Sequence, residues 1–246
     1  KPTCAATCPD GRLTASNPEQ SGRVSISPNR TKALNAFLKY NLIAIAIVLV
    51  DQAVKLTVKL NMTLHDGFSL LGNVLKIYFI ENEGAAFGVT LRNLIPGLSE
   101  SVAKIILTVF SILAVGVIFY LLRRTAQERT RLPLYIALIL GGAVGNIIDR
   151  VFYGVWFAPI NEYEGGLFFG RVVDMIYVDI WQGYVPEGVP LIGGMHVFLW
   201  PVFNLADSAI SVGIVAIIVF QKKLFATEMF HKPAPPAAAP PEATEG

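Results

Sequence analysis

The sequence predicts an all-α membrane protein: four transmembrane helices, a small extracytoplasmic sheet and an interfacial helix. Three observations lead there. Mean hydropathy is +0.54, and only 15% of the 246 residues are charged, against about 25% in a soluble domain. Four apolar stretches, over 33–54, 102–122, 132–151 and 200–220, match the length of about 20 residues that spans a bilayer as a helix. Basic residues cluster at one side of these stretches, with Lys32 and Lys39 before the first, four arginines between the second and third, and Lys222 and Lys223 after the fourth. The net charge of +2 gives no reason to expect a nucleic-acid partner.

Residues 1–31 are polar, have no apolar h-region and read as a disordered tail. Both cysteines, Cys4 and Cys8, lie there, so the membrane part has no thiol chemistry. His65, His196 and His231 are scattered without a ligand pairing, so neither a metal nor another cofactor is expected. A membrane domain over 32–222 follows, and then a Pro/Ala-rich, extended tail over 223–246.

The first span ends at Asp51-Gln52 with Lys55 four residues after Asp51, a spacing that lets the two charges pair on one face. The connection 56–101 carries turn signals at Asp66-Gly67 and Gly72-Asn73. Residues 74–80 are β-branched and aromatic and predict a strand. After them, Glu81-Asn-Glu-Gly-Ala-Ala-Phe-Gly88 is rich in small residues, which allow close backbone approach. Asn82 can bond two backbone groups there. Residues 89–98, broken by Pro96-Gly97, read as a short interfacial helix.

The second span ends at Arg123-Arg124, and the link adds Arg129 and Arg131 against Glu128. The third span offers Gly141, Gly142 and Gly145 as close-packing surfaces. It gathers Asn146, Asp149 and Arg150 near its end. The connection 152–199 contains Asp174 in the apolar run 172–180, a setting that desolvates a carboxylate and raises its pKa. Residues 184–194, rich in Gly and Pro, predict a loop. The fourth span carries Asn204, Asp207, Ser208 and Ser211 at spacings that share one helical face. A carboxylate in a membrane helix costs roughly 2.5–3.5 kcal/mol, so Asp207 marks a functional position.

Lys32, Lys39, the link arginines, Lys222 and Lys223 then place both termini in the cytoplasm by the positive-inside rule. Asp51, Asn82, Asn146, Asp149, Arg150, Asp174, Asn204 and Asp207 converge toward the outer face. Carboxylates without a nucleophilic cysteine, a metal set or a phosphate loop narrow the chemistry to two acids sharing a proton over one water. Ser208 and Ser211 have no partner base. The residue types alone leave Asp51, Asp149, Asp174, Asp179 and Asp207 open as members of the pair.

Five segments, taken in order, resemble the motifs of bacterial lipoprotein signal peptidase, also called signal peptidase II. They are Asp51-Gln-Ala-Val-Lys55, Asn82-Glu-Gly-Ala-Ala-Phe87, Gly145-Asn-Ile-Ile-Asp-Arg150, Val172-Val-Asp174 and Phe203-Asn-Leu-Ala-Asp-Ser-Ala-Ile210. The resemblance covers roughly 35–221. It implies a four-helix aspartyl endopeptidase of the bacterial inner membrane with a β-cradle over its site. Such an enzyme cuts prolipoprotein signal peptides just before a diacylglyceryl-modified cysteine. It implies Asp174 and Asp207 as the catalytic pair, and Asp51, Lys55, Asn82, Gly84, Asn146, Arg150 and Asn204 as the supporting set. Asp149 matches a position of structural character. Diacylglyceryl prolipoproteins, membrane lipids and globomycin-type inhibitors are the implied partners of a monomer. The segments 151–171 and 180–199 look longer than the family pattern. A proton-coupled transporter using Asp207 as a relay is the competing reading. Four spans with no repeat, and polar groups gathered at one end, weigh against it. A scaffold whose polar cluster only holds helices together is a third.

Overall fold

The computed structural model describes residues 28–72, 74–84, 95, 97–179, 182–190, 193–194, 196–198 and 202–229. Among them, four helices are long and apolar enough to cross a membrane, as expected. These are α1 (Pro28–Asn61), α2 (Glu100–Thr125), α3 (Leu132–Ile148) and α4 (Leu205–Met229). The first helix is longer than the predicted span at both ends. The sequence breaks into turns only at 62–66, where Met62 N still bonds back to Val58 O at 2.9 Å.

α3 is the central helix. More than half of its apolar window is buried (56%), against 6–11% for the other three. Glycines set how closely its neighbours approach. A Cβ at Gly141 would stand 2.7 Å from Ala44 O of α1, and one at Gly142 would overlap Ala206 O of α4 and reach Ile210 Cγ1 at 2.8 Å. With lipid on the outside, such packing is the main force between helices. Gly142→Ala should therefore push α4 off α3 and cost about 1–3 kcal/mol, read as a lower Tm in detergent.

Between α1 and α2 lies a hairpin, β1 (Gly67–Leu71) and β2 (Leu75–Asn82), the second strand of which matches the predicted one. β3 (Val172–Val178) joins it to make a three-stranded antiparallel sheet in the order β1-β2-β3. Val173 and Met175 pack on one face of β3 against Phe79, Val58 and Tyr153. Successive side chains alternate, so Asp174 points to the opposite face. A second, two-stranded sheet pairs β4 (Gln182–Tyr184) with β5 (His196–Phe198). The sequence predicted only a loop here. The loop lies between the two short strands.

Two boundaries differ from expectation in ways that matter to the site. α3 does not end regularly. It passes into a π-helical turn, Asp149–Tyr153, and then one further turn, Gly154–Trp156. The fourth span was expected to be helical from Trp200. Instead α4 begins at Leu205, because Phe203 is drawn out as a bridge to Ile176 of β3. The predicted interfacial helix over 89–98 falls mostly outside the described residues, as do Cys4 and Cys8.

Candidate active site

The Phe203 bridge positions the site. Met175 N and Ile176 N donate to Phe203 O at 3.1 and 2.7 Å, and Phe203 N returns a bond to Ile176 O at 3.0 Å. The next residue, Asn204, is thereby set against Asp174, the residue two before Ile176 on β3. Asn204 is not on the helix face, as the spacing suggested, but caps α4. Its Oδ1 accepts from Asp207 N at 2.9 Å, and its own N donates to Asp207 Oδ2 at 3.4 Å. This reciprocal pairing is the logic of a capping box. Ser208 is absorbed in the same cap, donating from Oγ to Asn204 O at 2.9 Å.

The fully buried Asn204 side chain uses both amide hydrogens. One goes to Asp174 Oδ1 at 2.6 Å and the other to Asn146 Oδ1 at 3.1 Å. Asn146, on α3, donates from Nδ2 to Asp207 Oδ1 at 2.7 Å. Two asparagines thus link the two carboxylates. A third, Asn82, donates to Asp174 Oδ2 at 3.0 Å while its Oδ1 accepts from Gly84 N at 2.8 Å. Register explains that contact. Asp174 lies opposite Ile80 on β2, so Asn82 is its diagonal neighbour on the same face. Gly84 has φ +101°, a conformation that favours glycine, and it lets the chain fold back over Asn82.

Beneath the asparagines lies a buried charge cluster. Lys55, Asp51 and Asp149 have no exposed side-chain surface. Lys55 Nζ is 2.9 Å from Asp51 Oδ2, 2.8 Å from Asp149 Oδ2 and 2.9 Å from Asn146 Oδ1. The predicted Asp51–Lys55 pair is therefore present, and Asp149 pairs with Lys55 rather than with its neighbour Arg150. Each carboxylate also ties down backbone. Asp51 Oδ1 accepts from Ala206 N at 2.9 Å, and Asp149 Oδ2 from Val173 N at 3.2 Å. One bond holds the first turn of α4 and the other holds β3 beside Asp174. A Cβ at Gly145 would stand 2.7 Å from Asp51 Oδ2, so this glycine makes room for the cluster.

Two members were not singled out from the sequence. Gln52 Nε2 donates to Asp149 Oδ1 at 2.9 Å and to Gly145 O at 3.2 Å, and its Oε1 accepts from Tyr153 OH at 3.0 Å. Gln52 stands inside the Asp51–Lys55 motif, which was its available signal. Tyr153 offered none.

Arg150 is brought to the same region, where the charges of Asp207, Asp149 and Asp174 act on it. Its Nη1 is buried without a hydrogen-bond partner among the described residues. Asp179 is not brought in. It pairs with Lys76 at 2.8 Å on the sheet, which lowers its pKa.

Asp174 and Asp207 differ in setting. Asp174 is 1% exposed, while Asp207 is half-buried. Burial, reinforced by the Asp207 charge, pushes the Asp174 carboxyl up to about 7, against the opposing bonds from Asn82 and Asn204. A carboxyl that keeps its proton near neutral pH, next to a second carboxylate, has the composition of an acid–base pair.

The chain's relatives name a family. The family described as signal peptidase (SPase) II matches residues 43–222. A lipoprotein signal peptidase of Amoebophilus asiaticus (strain 5a2) is 38% identical over 192 residues, covering 75% of this chain and 78% of that protein. One from Porphyromonas gingivalis (strain W83) is 36% identical over 189 residues, covering 71% and 79%. A solved structure described as a bacterial membrane enzyme, obtained by the in meso method at 2.3 Å resolution, superposes with a TM-score of 0.52 at 26% identity. It covers 79% of this chain and 93% of its own. With the motifs in order, two aspartates joined through asparagines and a family match over most of the chain, this protein belongs to the signal peptidase II family of membrane aspartic endopeptidases, which remove signal peptides from lipoprotein precursors.

Proposed function

We propose that Asp174 and Asp207 are the catalytic pair, and that they cut prolipoproteins just before a diacylglyceryl-modified cysteine. The observation that carries this is the Asn204–Asn146 link, which holds one buried, proton-retaining carboxyl and one half-buried carboxylate in a single network. The pair holds one proton. The ionised member takes a proton from water as that water attacks the scissile carbonyl, and the protonated member gives one to the leaving amine. Which member starts as base belongs to the pair rather than to either residue. Asn82 and Asn204 aim Asp174, and Asn146 aims Asp207. Lys55, Asp51 and Asp149 brace β3 and the start of α4 beneath them. Arg150 presents its unpaired buried N–H to the substrate backbone, since a buried donor left unsatisfied costs roughly 1–3 kcal/mol.

The remaining assignments rest on the same reading. The 32–222 region is the peptidase domain, with both termini in the cytoplasm and the site toward the outer face of the bacterial inner membrane. The β1-β2-β3 sheet is the extracytoplasmic cradle. The enzyme works as a monomer without a cofactor and is blocked by globomycin-type peptides in the same site. A test is cleavage of a diacylglyceryl prolipoprotein by the purified chain, with and without globomycin. Cleavage before the modified cysteine, lost on adding the inhibitor, supports the proposal. Cleavage elsewhere, or none, overturns it.

The pH dependence follows from Asp174. Its carboxyl is protonated below about 7 and ionised above. Above that point the pair becomes doubly negative and has no proton for the leaving amine. Activity should fall by about tenfold per pH unit on the alkaline side of 7, in steady-state cleavage measured from pH 5.5 to 9.

A further inference from the structure

At the opposite end of the bundle from the carboxylates, the α2–α3 link and the end of α4 border an open cavity of about 580 Å³, with Arg129, Arg131 and Lys223 exposed at it. It is lined by Arg129, Thr130, Arg131, Tyr135, Phe220, Lys223 and Leu224. The peptidase chemistry uses none of these residues. Three cations face one space, and among the described residues none of them forms an ion pair. The nearby Glu128 does not line the cavity. Its Oε2 accepts from Thr130 Oγ1 at 3.3 Å. Like charges repel, so three unpaired cations around one cavity favour an anion between them.

The other side of the cavity is apolar. Tyr135 and Phe220 stack at 6.3 Å with an interplanar angle of 18°, and Leu224 is buried beside them. Phe220 continues onto the exposed apolar face of α4 through Val219, Val215 and Val212. That face belongs to a membrane-spanning helix, so its surroundings are acyl chains. A group seated here has cations at headgroup depth and an apolar helix face leading into the bilayer. Basic pockets between membrane helices take anionic headgroups in this arrangement.

We propose that this cavity binds the phosphate headgroup of one anionic phospholipid, with its chains running down α4. The site is separate from the catalytic pair and holds whether or not the cleavage reading does. The test is native mass spectrometry of the full chain in detergent, titrated with phosphatidylglycerol and with phosphatidylcholine of the same chains. Phosphatidylglycerol should bind as one tight adduct, at least about tenfold tighter than phosphatidylcholine. The variant R129Q/R131Q/K223Q should lose about tenfold in that affinity. The variant R123Q/R124Q/K222Q, which changes cations that do not line the cavity, should stay within about threefold of wild type. Should the first variant fail to fold, K223Q alone keeps the link intact and should lose about threefold. Equal binding of the two lipids overturns the proposal. So does an equal loss in both triple variants, which would mean diffuse attraction to a basic surface. Displacement of phosphatidylglycerol by low-millimolar inorganic phosphate would reassign the cavity to free phosphate and overturn the lipid assignment.

Discussion

Asp174→Asn and Asp207→Asn should each lower prolipoprotein cleavage by about 10³-fold or more, while the protein still folds and inserts. General acid–base catalysis by one positioned group contributes about 10²–10⁴-fold. Losing either member of a pair that acts as a unit removes most of what the pair supplies. Stability should move the other way for Asp174→Asn. The native carboxyl keeps its proton to about 7, whereas an unfolded one loses it near 3.8. Between those values the folded state binds more protons, so wild-type stability falls as pH rises from about 4 to 7. An amide has no such slope and can still accept from Asn204 through its oxygen, at the loss of the one bond that Asn82 donates to Oδ2. At pH 8 the Asp174→Asn variant should therefore be as stable as wild type or more so, read by thermal unfolding. A scaffold reading requires the reverse, a destabilised variant with no activity to lose. Loss of cleavage with Tm held separates the two, and full cleavage in either variant would refute the catalytic assignment.

How much of this was legible in the sequence depends on whether the cause was local. The four spans follow from hydropathy over about twenty residues, and the structure has them. The glycines of α3 were legible because close helix approach leaves a mark at single positions. Gly142 and Gly145 prove to sit against Ala206 and Asp51. β2 was legible because it contains the β-branched and aromatic run Ile77-Tyr-Phe-Ile80. β1 was not, since all five of its residues are exposed and no side alternates. β4 and β5 are three residues each and exist by pairing with one another.

The site divides along the same line. The residues singled out from sequence order, Asp51, Lys55, Asn82, Gly84, Asn146, Arg150 and Asn204, come together in one region with Asp174 and Asp207. The hydrogen bonds among them come from tertiary contacts that no spacing encodes. Asn204 shows this best. Helical periodicity put it one turn before Asp207 on a shared face. The bridge from Phe203 to Ile176 stops the helix first, and this turns Asn204 into both cap and link. The partner of Asp149 was hidden for a similar reason. The π-helical turn at the end of α3 coincides with a carboxylate facing Lys55 of another helix, 94 positions away in the chain. π-Helical turns inside membrane and soluble helices gather at functional sites, and this one begins at Asp149.

Lys55→Met should be the most destabilising single change in the protein. Methionine fills much of the volume that the aliphatic stem occupies, so packing changes little. The charge is what is lost. Asp51 and Asp149 would then face one another across a space with no exposed surface, each still committed to a backbone N–H. Breaking a buried ion pair from one side costs roughly 3–5 kcal/mol, because the partner charge stays buried. Here one cation serves two carboxylates. Lys55→Arg should not rescue, since a planar fork does not reproduce an ammonium within 2.9 Å of three oxygens. Neutralising the whole cluster should rescue. In Lys55→Met/Asp51→Asn/Asp149→Asn each amide oxygen can still accept from Ala206 N or Val173 N, and no unpaired charge remains. The triple variant should recover most of the lost Tm, as replacing a complete buried ion set is often close to neutral. Its cleavage should stay low, because Asn146 Oδ1 has lost the ammonium that helps to fix its amide toward Asp207. A Lys55→Met variant that melts within about 1 kcal/mol of wild type would show that water or a rearranged partner already shares the cluster's charge. Stability restored without activity would show that the lysine has two separable tasks, neutralising the carboxylates beneath the site and orienting the asparagine that links its two halves.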